Sequence, residues 1–235
     1  MDPYDNQELV DIYEERYIHH DVVSNDIKTE ISTVEKFMAE RNYQNWCDVA
    51  CGTGYHLRTA KGNYSRCGID KSRKMLTYAR ENAEKNNKAI RFLEADFLEL
   101  PVTEKYDMMT NFWLGYTHQD TLADVMRFIY KMAEMVQLGG TMIISVHNHG
   151  KLFDNIPWMM PEPMDGNFQF DGIAWSYTEP DNPKIRYRCI SPHKDLIRLN
   201  LKKRFAGSKI VHYPIVVEGM EYPGRELMIF EDKIL

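Results

Sequence analysis

Apolar residues change their period along this chain. Up to about residue 43 they recur at helical spacing: from Asp26 onward, Ile27, Ile31, Val34, Phe37 and Met38 fall on one face. Upstream, Tyr13 and Tyr17 lie four apart and share a face if residues 8–18 are helical. Short apolar runs then take over, predicting strands over 46–50, 66–69, 90–93, 106–111 and 142–146. Helical stretches sit between most of them. Residues 72–86 place Met75, Leu76, Ala79 and Ala83 on one face, and 121–138 does the same with Leu122, Val125, Met126, Ile129, Ala133 and Val136. Strands alternating with helices imply a parallel sheet with crossover helices.

After Val146 the pattern breaks. Residues 148–165 are rich in Pro, Met and Trp. Strand-like runs over 168–177 and 184–190 flank the turn signal Glu179-Pro180-Asp181-Asn182-Pro183, which predicts a hairpin inserted after the fifth strand. Ser191-Pro192 has the form of a helix N-cap with proline at the first helical position, and the helix should run to about Phe205. Two strands, near 210–217 and 226–231, close the chain. At 235 residues the chain suits one α/β core with an insertion rather than two domains.

Charge and cysteine usage narrow the chemistry. The 29 basic residues are outnumbered by 35 acidic ones, for a formal net charge of −6, and no long basic run offers a nucleic-acid backbone a partner. Lys202, Lys203 and Arg204 form the nearest cluster, late in a predicted helix, where cations suit the C-terminus. The four cysteines, Cys47, Cys51, Cys67 and Cys189, make no C-x-x-C pair, and the plain expectation is reduced thiols in a cytoplasmic protein. The N-terminus is acidic and polar, unlike a signal peptide, and no apolar stretch approaches a membrane span. His147 and His149, two apart, lack an evident third ligand, so no metal is assigned.

The decisive segment is Asp48-Val49-Ala50-Cys51-Gly52-Thr53-Gly54, directly after an apolar strand. Its glycines permit a sharp turn and close approach to a ligand, and the helix that follows presents N–H groups to an anionic moiety. A dinucleotide fingerprint needs a third glycine, but Leu57 stands there. Gly68-Ile69-Asp70 ends the next strand, and a carboxylate at that position can accept both ribose hydroxyls. Ala95-Asp96-Phe97 follows the third strand. Asp96 can accept from an adenine amine and Phe97 can pack on a ring; equally, Asp96 can cap its own loop.

Together these segments resemble class I S-adenosylmethionine (SAM) dependent methyltransferases. Asp48-x-Ala50-x-Gly52-x-Gly54 is similar to that family's glycine loop, with Ala50 where glycine is usual. Gly68-Ile69-Asp70-Lys71-Ser72-x-x-Met75-Leu76 is similar to its ribose segment, Ala95-Asp96 to its adenine segment, and Leu138-Gly139-Gly140-Thr141 to its turn into the fifth strand. The resemblance implies a Rossmann-like α/β fold: a mostly parallel seven-stranded sheet, helices on both faces and a β-hairpin insertion after strand 5. It implies SAM as cofactor, held by Asp48, Ala50, Gly52, Gly54, Asp70, Lys71, Met75, Asp96, Phe97 and Asn111. One domain is expected, with a helical lid (1–43), a SAM-binding core (44–147), a substrate cap (148–190) and a final helix and strand pair (191–235).

The acceptor is written less plainly. An amine or hydroxyl nucleophile must lose a proton, so a base is expected after the fourth strand, where parallel strands open on the site. There stands Asn111-Phe112-Trp113-Leu114-Gly115-Tyr116-Thr117-His118. It lacks the Pro-Pro run of enzymes that methylate base amines. It resembles the equivalent segment of N-methyltransferases acting on glycine or on amino sugars, as does the pattern Tyr17…Asp26…Glu30. This gives His118 and Tyr17 as candidate catalytic groups, and Tyr13, Trp113, Tyr116, His147, Trp158 and Trp175 as candidate acceptor contacts. Each aromatic has a packing alternative, and the insertion equally suits a homodimer contact. The expected activity is methylation of a small-molecule amine. A small-molecule O-methyltransferase and an inactive SAM-binding subunit are the alternatives. Nucleic acid and membrane are not expected as partners.

Overall fold

The computed structural model describes residues 3–19, 21–149, 168–171, 174–179, 182–213, 216–217, 220–221 and 225–235; side chains are described for most of these. The N-terminal region holds α1 (Gln7–Tyr13), a π-helical turn (Glu14–Ile18) and α2 (Asp21–Glu40). The alternating core follows: β1 (Asn45–Val49), α3 (Tyr55–Thr59), β2 (Ser65–Asp70), α4 (Arg73–Lys85), β3 (Arg91–Glu94), β4 (Tyr106–Asn111), α5 (Leu122–Met135) and β5 (Val136–His147). Then come β6 (Phe168–Asp171), β7 (Ala174–Glu179), β8 (Asn182–Ile190), α6 (Lys194–Leu201), β9 (Phe205–His212), β10 (Val216–Val217), β11 (Met220–Glu221) and β12 (Arg225–Lys233).

The main sheet has seven strands in the order β3-β2-β1-β4-β5-β12-β9. Neighbours from β3 to β5 pair in parallel, and β12 runs antiparallel to both β5 and β9. Strand order reverses between β1 and β4, and ligands of open α/β sheets bind outside the carboxyl ends at such a point. Both faces are covered, so β4 is buried at every position rather than at alternate ones, its polar Asp107, Thr110 and Asn111 included. Successive residues feed opposite cores. Cys47, Met109, Met142, Ile144, Met228 and Phe230 pack with α5 and α6. Trp46, Met108, Ile143, Leu227 and Ile229 pack with α2, Leu57 and Leu76.

Four expectations shift. The insertion is a three-stranded antiparallel sheet, β6-β7-β8, not a hairpin: the run 168–177 reverses between Asp171 and Ala174. Asp171-Gly172 was the turn signal inside it. The last helix is capped by His193, whose Nδ1 accepts from the Asp195 N–H at 3.2 Å, so Ser191-Pro192 lies ahead of the cap. That helix stops at Leu201 because Phe205 already pairs with Lys233 at the start of β9. Finally, the strand expected over 142–146 begins already at Val136, with a register irregularity opposite Tyr106–Met108 and Gly139 at φ +74°.

Candidate functional site

At the carboxyl ends of β1, β2 and β4 lies a cavity with about 790 Å³ of empty space, part of it open solvent. Its wall includes Ala50 and Gly52 from the glycine loop, Asp70, Lys71 and Met75 after β2, and Asp96 and Phe97 after β3. The loop turns through left-handed backbone at Ala50 (φ +53°), Gly52 (+53°) and Gly54 (+67°). A Cβ on Gly54 would fall 2.8 Å from the Phe92 ring, so that position has no room for a side chain. A Cβ on Gly52 would meet nothing within 4 Å; there the backbone faces open space, as close approach to a ligand requires.

The Asp70 carboxylate ties the wall together. Gly52 N–H donates to its Oδ2 and Ser72 N–H to its Oδ1, both at 2.8 Å. A carboxylate has about four acceptor positions, the chemistry that a pair of ribose hydroxyls requires. Asp96 is exposed and caps its own turn, accepting from Leu98 N–H at 2.9 Å, while also lining the cavity. Phe97 is buried against Phe128, with ring centroids 4.6 Å apart. These residues fit a nucleoside: carboxylates for ribose and amine, apolar surface for the base, and an unobstructed glycine backbone.

The rest of the lining comes from the segment after β4 and from the N-terminus. Phe112, Trp113, Gly115, His118 and Gln119 line it, with Tyr4 and Tyr13. Trp113 and Leu114 both adopt left-handed backbone, at φ +57° and +62°. Consecutive non-glycine residues in that region store strain, and such strain concentrates at functional sites. His118 is half-buried. Its Nε2 lies 3.5 Å from the Tyr4 hydroxyl and its Nδ1 3.6 Å from the Cys189 sulfur on β8. Tyr4 also meets Tyr13 and Tyr187, and its carbonyl accepts from the Ser72 hydroxyl at 2.7 Å. Burial, with the negative neighbours Tyr187 and Asp70, holds the Tyr13 phenol above its ordinary range.

A second cavity, with about 370 Å³ of empty space, adjoins the first across Ala50 and Gly52. Tyr13, Phe112 and Trp113 line both, and Asp48, Tyr55 and His56 line only the second. Asp48 is thus outside the main cavity. It accepts from the Thr110 hydroxyl at 2.6 Å, and burial lifts its pKa to about 7, opposed by His56 and that hydrogen bond.

Several expected site residues stand elsewhere. Asn111 lines neither cavity: its Nδ2 donates to Val49 O at 2.6 Å and its Oδ1 accepts from Tyr116 N–H at 3.0 Å, stapling the β1 end to the turn after β4. Tyr116 is fully buried in the core and lines neither cavity; the left-handed turn before it points the ring inward. His147 is buried at the end of β5, and burial, His149 and Arg225 depress its pKa to about 3. Tyr17 packs against Tyr13 with the rings tilted, centroids 5.1 Å apart, and is not among the cavity-lining residues. Trp158 and the Trp175 side chain lie outside the described residues.

Sequence reasoning missed Tyr4, Tyr187 and Cys189, which no local motif marks. It also missed Glu30 as a buried hub. Among the described residues, no group of three His, Cys, Asp or Glu side chains is placed to hold a metal ion, and no helix is long and apolar enough to cross a membrane.

Comparison with known proteins agrees with this geometry. Residues 47–140 match the methyltransferase domain family. The chain is 23% identical over 181 residues to a glycine/sarcosine N-methyltransferase of Aphanothece halophytica, covering 69% of this chain and 66% of that protein. It is 26% identical over 132 residues to a dTDP-4-amino-2,3,4,6-tetradeoxy-D-glucose N,N-dimethyltransferase of Saccharopolyspora spinosa, covering 56% and 47%. The chain spans 43% to 66% of the length of the curated relatives it matches. A crystal structure of a SAM-dependent methyltransferase from Clostridium acetobutylicum shares the fold, with a TM-score of 0.67 at 16% identity over 95% of this chain and 97% of that one. Residues 47–140 are a methyltransferase domain, and the chain has the Rossmann-like fold of solved SAM-dependent methyltransferases.

Proposed function

We propose that this chain transfers the methyl group of SAM to an amine nitrogen of a small-molecule acceptor. The observation that carries the reading is one cavity holding both halves of the chemistry. Asp70, Asp96 and His118 all line it. The names of two relatives, acting on glycine or sarcosine and on an amino sugar, support an amine acceptor.

Bound there, SAM supplies an electrophilic methyl group on a sulfonium. The ribose hydroxyls fall to Asp70 and the adenine edge to Asp96, with Met75, Ile69 and Phe97 as the apolar surface. Tyr4, Tyr13 and Trp113, also in the lining, would exclude water. An amine arrives at neutral pH as an ammonium, which has no lone pair; His118 accepts its proton before attack. Tyr13, held protonated, orients the acceptor as a hydrogen-bond donor. Strand β8 brings Tyr187 and Cys189 against the His118 ring, which supports the insertion as the acceptor cap.

The test is release of S-adenosylhomocysteine (SAH) against a panel of amines and hydroxyl compounds, with product analysis. His118→Ala should lower kcat by about 10²–10⁴-fold with the amine and leave SAH affinity intact. Methylation of hydroxyls alone overturns the amine assignment. Wild-type kcat in the variant between about pH 6 and 9 removes His118 from the chemistry.

A further inference from the structure

α2 carries two acids one turn apart, Asp26 and Glu30, and both are almost wholly buried, at 1% and 0% exposure. Carboxylates in a packed interior are costly unless every oxygen is satisfied. Glu30 is satisfied fourfold. Its Oε2 meets His56 Nε2 at 2.7 Å and accepts from Trp113 Nε1–H at 3.2 Å. Its Oε1 accepts from the Ser145 hydroxyl at 3.2 Å and the Tyr213 hydroxyl at 3.0 Å. Ser145 Oγ in turn accepts from the Trp113 backbone N–H at 3.2 Å. Asp26 acts on the same ring from its face: its Oδ2 accepts from Arg225 at 2.7 Å, and that guanidinium lies 4.9 Å from the Trp113 ring centroid.

These contacts converge on one residue. Trp113 lines both cavities and sits in left-handed backbone that its own side chain disfavours. His56, the other group on Glu30, lines the second cavity and stacks on Phe112 with centroids 4.6 Å apart. We propose that Glu30, supported by Asp26 through Arg225, is a positioning residue that fixes Trp113 and His56 in the wall shared by the two cavities. It touches neither cavity itself. It makes the N-terminal helix α2 part of the site's geometry rather than a separate cover. Preorganised walls of this kind lose affinity when their supporting hydrogen bonds are removed. The inference rests on the reading of the main cavity as the SAM site.

The chain has four tryptophans, and nitrogen-15 tryptophan labelling gives each an indole N–H resonance. Trp113→Phe identifies the Trp113 signal by its loss. Glu30→Gln should then shift that signal while leaving the Trp46 signal, whose indole donates to Thr110 at 2.8 Å, in place. Calorimetry on the same variant should show SAH binding weakened on the order of tenfold at a temperature well below unfolding. An unmoved Trp113 signal overturns the proposal. A moved signal with unchanged SAH affinity also overturns it, because Glu30 is then structural only. If Glu30→Gln fails to fold, Trp113→Phe and Ser145→Ala carry the test, and wild-type SAH affinity in both refutes it. If the wild-type chain itself fails to bind SAH, the SAM reading falls, while the indole shift still reports whether Glu30 holds Trp113.

Discussion

Replacing Asp70 with Ala removes an acceptor that three partners need. The expected ribose hydroxyls lose theirs, and so do the N–H groups of Gly52 and Ser72, each now 2.8 Å from a carboxylate oxygen. A hydrogen bond to a charged group is worth about 1.5–3 kcal/mol. Loss of the ribose contact alone weakens nucleoside binding by about ten- to a hundredfold. The loop term comes on top, because Gly52 is held at φ +53° with its N–H on that carboxylate. Asp70→Ala should therefore fall at or beyond the hundredfold end of that range. Asp70→Asn keeps one carbonyl acceptor and should fall near tenfold. Both N–H groups are only partly buried, so water replaces some of what they lose and the unliganded fold should weaken by about 1–2 kcal/mol. Calorimetry with SAH measures the first effect and urea unfolding the second. SAH affinity unchanged in Asp70→Ala, in a variant that unfolds like wild type, refutes the ribose assignment.

Two further expectations follow from backbone strain and burial. Gly115→Ala would place a Cβ 2.7 Å from the Ala50 methyl and 2.8 Å from Asn111 Nδ2, so it should destabilise by about 1–3 kcal/mol and weaken SAH binding. Adding Ala50→Gly should restore part of the loss, and strictly additive unfolding energies would show that the two positions do not touch. Asp48, with its pKa lifted to about 7 by burial, holds a proton in the native state over a range where the unfolded chain has lost it. Its contribution to stability thus falls as pH rises from about 4 to 7, by at most about 1.4 kcal/mol per unit. Asp48→Asn keeps an acceptor for the Thr110 hydroxyl and should flatten that slope; an unchanged slope in urea titrations across the range disproves the raised pKa.

The parts of the site written in one stretch of chain were legible. Glycines after a strand, an acid ending the next and an acid after the third are local consequences of the βαβ unit, and the structure gathers Gly52, Asp70 and Asp96 at the carboxyl ends of three neighbouring strands. What the sequence could not show is set by backbone and distance. Tyr116 sits three residues past Trp113 in the same aromatic run, yet two left-handed residues turn it into the core. Asn111 ends a strand facing the site, but its amide serves the neighbouring strand's carbonyl. Tyr4 reaches His118 across 114 residues and Cys189 reaches it across 71, separations no periodicity encodes. The histidine cap at His193 escaped because Ser191-Pro192 satisfied the usual pattern two residues early.

The electrostatics sort the candidate proton acceptors. His147 is buried beside His149 and near the Arg225 guanidinium, and its pKa of about 3 keeps it neutral across the physiological range. An imidazole so reluctant to protonate is a poor sink for an ammonium proton whose own affinity is far higher. Tyr13 fails in the opposite direction. Burial and its negative neighbours keep the phenol protonated, so it donates and does not accept. Asp48, near 7, has a suitable affinity, but it stands in the second cavity with one oxygen already taken by Thr110. His118 is half-buried, lines the cavity that Asp70 and Asp96 define, and is approached from two sides by Tyr4 and Cys189. An acidic limb near neutrality in the rate profile therefore does not belong to His147. Asp48→Asn should alter the stability slope whether or not it alters the rate, whereas His118→Ala should lower kcat and leave SAH affinity intact.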